Sequence, residues 1–503
     1  MFGCALALTF LQSALTMPTP SGVVQTTRGE VRGTLDEVAG SVYTSFTGIP
    51  FAKPPVGALR FKPPQQPDSW DDALNATDFS SCPQVFQIAV DESTGILPED
   101  CLHLNVYVSG DVAQNRSEAL PVMVYIPDDG LGTNSAPSFD GTLLVTQAEP
   151  IVLVTIQYRL GILGFFTSGD SEIPGNAGFL DQVLALQWVQ DNIEAFGGDK
   201  TRVTIFADSA GAQSVLMHLV SPLSAGLFHR AIAQSPPASA ARYPELHTYR
   251  SHFYDWARAQ FNCDEGDELR CLQGVTWQEL IGHERDAHVV IDGVFLREQP
   301  RQVFASGSFH RDVDVIIGFS NDEGTYPLFV QAFFASLTPD PFVNGISSDT
   351  ATDFLLETSL RFTISEGGPD NPVTRATRNG EAPLNHAPIV TMLRSKYTSR
   401  NAVQNARLLL DAFRDSLFVS FSLWTAAQLA AHDVNVYAYS FNHRSANLGV
   451  QPAGAVQLGA PHVHELLYIF GVALGDDYTT EEAALSRTIM NTWTTFAATG
   501  WVI

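Results

Sequence analysis

Short, almost wholly apolar runs recur along the chain, separated by longer stretches in which apolar and polar positions mix. Residues 122–126 (VMVYI), 151–156 (IVLVTI), 203–206 (VTIF), 313–318 (VDVIIG) and 434–440 (VNVYAYS) have the length and β-branched content of strands buried on both faces. Residues 211–219 (GAQSVLMHL) read as a helix, so Ser209 falls on a tight turn from strand to helix. Strand-like and helix-like segments alternate throughout. A chain of 503 residues could hold two or three domains, but it has no long Gly/Ser or Pro-rich run, no low-complexity tract and no internal repeat. The pattern predicts one large α/β unit, a mainly parallel sheet covered by helices.

Composition narrows the class. With 54 acidic against 28 basic side chains and a net charge of -26, the chain lacks the basic surface that a nucleic-acid partner requires. Residues 1–16 contain an apolar stretch of secretory-signal length followed by small residues, with no basic lead, and nothing later approaches an uninterrupted membrane span. Removal of that segment would take Cys4 with it. The four remaining cysteines fall into two sequence-local pairs, Cys82 with Cys101 and Cys263 with Cys271, although four cysteines permit three connectivities. An even number suits an oxidising compartment, as do the glycosylation sequons at Asn75 and Asn115. These features predict a secreted protein whose mature part is a single domain, 17–503.

Local sequence leaves two readings of Ser209: a nucleophile on a strand-to-helix elbow, or a hydroxyl that caps the helix. A nucleophilic serine needs a base within hydrogen-bond reach and an acid to orient that base. Candidates follow in the order Ser, acid, His. Asp322 and Glu323 lie in a loop just beyond the strand VDVIIG, and His462 and His464 lie in a turn before the apolar run 466–470. The His-x-His spacing also suits metal ligation, but no further ligand cluster accompanies it.

Longer motifs make the pattern specific. EDCLHLNVYV (99–108), NAGFLDQVLALQWVQDNIEAFGGDKTRVTIFADSAG (176–211), GFSNDEGTY (318–326) and GAPHVHELLYIFG (459–471) occur in the order found in type-B carboxylesterases, and the resemblance spans nearly the whole chain. The chain resembles the carboxylesterase, cholinesterase and fungal-lipase group of α/β-hydrolases. The resemblance implies Ser209 as nucleophile, Glu323 as acid and His462 as base, with Glu465 at the family's usual offset and His464 a bystander. It implies acyl transfer through an acyl-enzyme on small-molecule esters, without a cofactor or metal. Ala210, Asp129 and Gly130 would supply the oxyanion-hole N–H groups.

The departures from the family matter. The elbow has Ala207-Asp208 where Gly-Glu is usual, and Pro127-Asp128-Asp129-Gly130 stands where a His-Gly-Gly-Gly run is usual. QSPPAS (234–239) replaces the usual Gly-Ser beside the acyl pocket, and the chain ends at TGWVI where relatives usually continue, which leaves a truncated C-terminus open. The intact triad residues favour a carboxylic-ester hydrolase. The altered oxyanion loop favours the alternative, a catalytically impaired homologue that binds a partner. Between Cys82 and Cys101 there is no Trp to receive a quaternary ammonium, which argues against choline esters, and the short segment argues for soluble esters over emulsified triglycerides. Oligomeric state is not legible.

Overall fold

The computed structural model describes residues 19–77, 81–84, 99–112, 117–127, 130–132, 139–325, 396, 402–445 and 459–502. Its centre is an 11-stranded sheet. The strands are β1 (Thr19–Gln25), β2 (Glu30–Val38), β3 (Ser41–Pro50), β4 (Leu74–Asn75), β5 (His103–Ser109), β6 (Leu120–Tyr125), β7 (Val152–Ile156), β8 (Gly198–Asp208), β9 (Arg230–Gln234), β10 (Asp314–Ser320) and β11 (Val436–Phe441). Their order is β1-β2-β3-β5-β7-β6-β8-β9-β10-β11, with β4 paired to β2. From β7 through β6 to β11 every pairing is parallel, whereas β1 to β2, β2 to β3, β3 to β5 and β5 to β7 are antiparallel.

The apolar runs have their physical reason in this arrangement. Along β6, Val122 and Val124 join one apolar cluster with Val203, Ile205 and Trp188, while Met123 and Tyr125 join another with Phe206, Phe470 and Trp493. Side chains alternate between faces, and both faces are covered, so a polar side chain there is costly unless it is hydrogen-bonded, and apolar residues dominate. Helix α1 (Ala177–Asn192) packs on the first face, and α5 (Thr480–Thr499) covers the second through Met490, Trp493 and Phe496. Between them in the chain lie α2 (Ser209–Val220), α3 (Ala402–Arg414) and α4 (Ser420–Ala431). Each fully buried Val, Ile or Phe in these layers contributes about 1.5–3 kcal/mol from water exclusion.

Element boundaries differ from the sequence pattern at the elbow. Strand β8 runs back through the polar residues to Gly198, and α2 starts at Ser209, two positions before the apolar periodicity begins. Backbone pairing with β6 and β9 extends β8 beyond its buried apolar part. Disulfides join Cys82 to Cys101 and Cys263 to Cys271. Among the described residues, no helix is long and apolar enough to cross a membrane.

Candidate active site

Parallel strands in register bring their carboxyl ends to one edge. Tyr125 closes β6, Asp208 closes β8 opposite Gln234 at the end of β9, and Ser320 closes β10. The loops leaving these ends therefore converge, although they are far apart in the chain.

Ser209 is the first residue of α2, and its backbone is left-handed, with φ of 50°. That conformation is uncommon for any residue but glycine and turns the chain sharply from strand to helix. Asp208 occupies the cap position without making a side-chain cap bond, so Ser209 does not serve as the cap. Ser209 Oγ lies 2.8 Å from His462 Nε2, and His462 Nδ1 hydrogen-bonds Glu323 Oε2. Ser209, His462 and Glu323 thus stand in one continuous hydrogen-bonded chain, with Ser209 and His462 separated by 253 positions in sequence. All three are buried.

Glu323 receives two further donors. Ser235 Oγ–H donates to Oε1 at 2.5 Å, and the Ser320 N–H donates to the same oxygen at 2.7 Å. Ser235 follows the end of β9 with a φ of 53°, in the QSPPAS segment. The Phe418 ring covers the His462 imidazole with centroids 4.5 Å apart. Phe418 lies in the single π-helical turn Asp415–Val419 that joins α3 to α4. Prolines 236 and 237 lead into the turn Ala238–Ala241, which lines a cleft of about 600 Å³ with Arg301, Phe421 and Trp424.

The loop carrying Glu323 is fastened to the loop carrying His462. Asp322 Oδ2 accepts the Ala460 N–H at 2.9 Å, the Asp322 N–H donates to the Ala460 carbonyl at 2.9 Å, and Arg407 of α3 pairs with the Asp322 carboxylate. Gly459 beside it has φ of +66°, and a Cβ there would collide with the Asp322 carboxylate. Asp322, the other carboxylate singled out in this loop, therefore holds the His462 loop while Glu323 contacts the His462 imidazole.

Electrostatics follow from burial. Burial alone would disfavour a charged His462, but the attraction and hydrogen bond of Glu323, with further contributions from Asp208 and Glu465, hold its imidazole above the ordinary 6.5. Burial, then the Glu323 charge, pushes the Glu465 carboxyl up, and Ser320 Oγ and Tyr439 Oη donate to it at 2.9 and 3.1 Å. Burial pushes Asp208 up to about 7 against the Tyr125 hydroxyl, which donates to its Oδ1 at 2.6 Å. His464 is separate: it lies near Phe441 and Tyr468, and burial lowers it to about 4. Among the described residues, no group of three or more His, Cys, Asp or Glu side chains is arranged to hold a metal.

Of the other positions singled out in the sequence, Ala210 follows Ser209 at the start of α2, Gly130 has φ of +72°, and Asn75 is exposed on β4. Asp128, Asp129, Asn115 and residues 1–16 lie outside the described residues. Sequence reasoning missed Ser235, Ser320, Tyr125 and Phe418. The first three could have been sought by one signal, a polar group at or just beyond the carboxyl end of a buried strand.

The family model described as "Carboxylesterase family" matches residues 20–501. The chain is 34% identical to an acylcarnitine hydrolase of Mus musculus, over 99% of this chain and 87% of the relative. It is 33% identical to the acetylcholinesterase of Electrophorus electricus, over 99% and 83%. To a medium-chain fatty acyl-CoA hydrolase precursor of Anas platyrhynchos it is 36% identical, over 95% and 84%. With an α/β-hydrolase sheet and matches across nearly all its length, this chain belongs to the carboxylesterase family and is a carboxylic-ester hydrolase.

Proposed function

We propose that the protein is a secreted serine esterase that cleaves soluble carboxylic esters through Ser209, His462 and Glu323. The observation that carries this reading is the unbroken chain from Ser209 Oγ to His462 Nε2 at 2.8 Å and from His462 Nδ1 to Glu323. His462 accepts the Ser209 proton as the oxygen attacks the ester carbonyl, then returns it to the departing alcohol. Water, activated by the same imidazole, attacks the acyl-enzyme carbonyl, and the carboxylic acid leaves as Ser209 recovers its proton. Glu323 stabilises the imidazolium that forms in each half-reaction, and the N–H groups of Ala210, Asp129 and Gly130 receive the oxyanion.

The single sheet running from β1 to β11, with α5 packed back on it, supports reading 17–503 as one domain. Secretion draws support from the apolar N-terminal stretch, the two disulfides and the exposed Asn75 sequon. The relatives' names cover carnitine and choline esters and a CoA thioester, so the preference for soluble esters over emulsified triglycerides, and the reading against choline esters, rest on the segment between Cys82 and Cys101.

An organophosphonate probe tests the assignment on purified protein. Stoichiometric labelling that disappears in Ser209→Ala is the expected result. A folded protein that stays unlabelled would favour the binding-protein alternative raised by Asp128 and Asp129.

A further inference from the structure

Tyr125 ends β6 with its ring fully buried, and the residues expected to form the oxyanion loop begin two positions later. Its hydroxyl donates to Asp208, the residue directly before Ser209. One hydrogen bond thus joins the strand that feeds the loop to the elbow that presents the serine. The Tyr125 ring also touches three aromatic rings from three different arms of the site. Phe206, at 4.9 Å, belongs to the strand leading to the serine; Phe470, at 4.9 Å, belongs to the segment bearing the base; Phe139, at 4.8 Å, lies beyond the far side of the loop. A ring wedged this way has little freedom, so the hydroxyl is presented at a fixed point.

Asp208 needs that donor. Only 4% of it is exposed, and a buried carboxylate without partners is strongly disfavoured. The groups that interact with it electrostatically are Tyr125 from β6, His462 and Glu465 from the base segment and Tyr439 from β11; Glu323 in the acid loop acts on the same histidine.

Resting on the reading of Ser209 and His462 as nucleophile and base, we propose that Tyr125 is a positioning residue, whose hydroxyl holds the Asp208 carboxylate at the elbow and so sets the electrostatic support that His462 receives. A donor to the charged carboxylate favours its ionised form. Deleting the hydroxyl lets Asp208 keep its proton to higher pH, which removes negative charge near His462. The imidazolium is then less stabilised, and His462 becomes neutral, hence active, at lower pH.

The test is the rate of fluorophosphonate labelling from pH 5 to 9 in the full chain, for wild type, Tyr125→Phe, Asp208→Asn and the double variant. Tyr125→Phe retains the ring and should move the labelling midpoint down by about 0.5–1 pH unit, the scale of one nearby charge partly lost. Asp208→Asn should move it the same way at least as far, and the double variant no further than Asp208→Asn. An unmoved midpoint in a folded Tyr125→Phe, or the same downward shift on top of Asp208→Asn, overturns the proposal. If Tyr125→Phe does not fold, an unmoved midpoint in Asp208→Asn overturns it and a downward shift supports it. A wild type that labels normally while the variants leave the midpoint unmoved removes only this role; a wild type that never labels removes the esterase reading as well.

Discussion

Ser235 donates its hydroxyl proton to Glu323 Oε1 across 88 residues of sequence, while His462 binds the other carboxylate oxygen. The two contacts fix the plane of the carboxylate, so Ser235 should matter to catalysis without touching the substrate. Ser235→Ala should lower kcat by roughly tenfold to a hundredfold, the value of a hydrogen bond to a charged group, and leave KM nearly unchanged. Steady-state kinetics on an activated ester separate the two parameters, and a change confined to KM would contradict the role.

Ser209→Ala, Glu323→Gln and His462→Ala should each reduce kcat by about a thousandfold or more, and pairs should lose little more than singles because the three act together. His464→Ala should affect stability more than rate, since its ring is buried against Phe441 and Tyr468. Equal damage to rate from the two histidine variants would reverse the assignment of the base.

The pH profile follows from the raised His462. Only the neutral imidazole accepts the serine proton, and Glu323 favours the charged form, so kcat/KM should rise with pH through a midpoint above about 6.5. A profile flat from pH 5 to 8 would exclude this base.

Asp208 offers a separate stability measurement. Its carboxyl rises from the ordinary 3.8 to about 7, so the folded protein retains a proton that the unfolded chain releases in that window. Stability from this group therefore falls as pH rises from about 4 to about 7, by at most about 4 kcal/mol. Asp208→Asn carries no such dependence. Its melting temperature relative to wild type should improve between pH 4 and pH 8, and a constant difference would count against a buried titrating Asp208.

The largest expected gain comes from Asp128 and Asp129, in the loop proposed to receive the oxyanion. A carboxylate about 5 Å from a developing oxyanion, at an effective dielectric near 20, opposes it by roughly 3 kcal/mol. Asp128→Gly combined with Asp129→Gly should raise kcat/KM on an activated ester at least about tenfold. An unchanged rate in a folded double variant that still labels at Ser209 would mean that the loop is adapted to the site.

The parallel half of the sheet was legible because burial on both faces leaves continuous apolar runs such as 122–126 and 151–156. The antiparallel half was less so: β3, SVYTSFTGIP, is only partly buried, and its weak alternation gives little signal. Ser209, Glu323 and His462 could be named from local motifs. Ser235, Ser320 and Tyr125 could be sought at strand ends but not matched to their partners, because those partners are set by strand register rather than by neighbours in the chain. The segment 85–98, on which the substrate argument partly rests, lies outside the described residues.

The fastening of Asp322 to Ala460 bears on how this enzyme could be diversified. Any side chain at position 459 would collide with the Asp322 carboxylate and would also meet an unfavourable left-handed backbone, so mutational libraries spanning the base loop should return glycine there almost without exception. The Ala238–Ala241 turn makes no such demand and lines the large cleft. Changes that reshape that cleft are free of this constraint, whereas position 459 stays glycine while the rest of its loop varies.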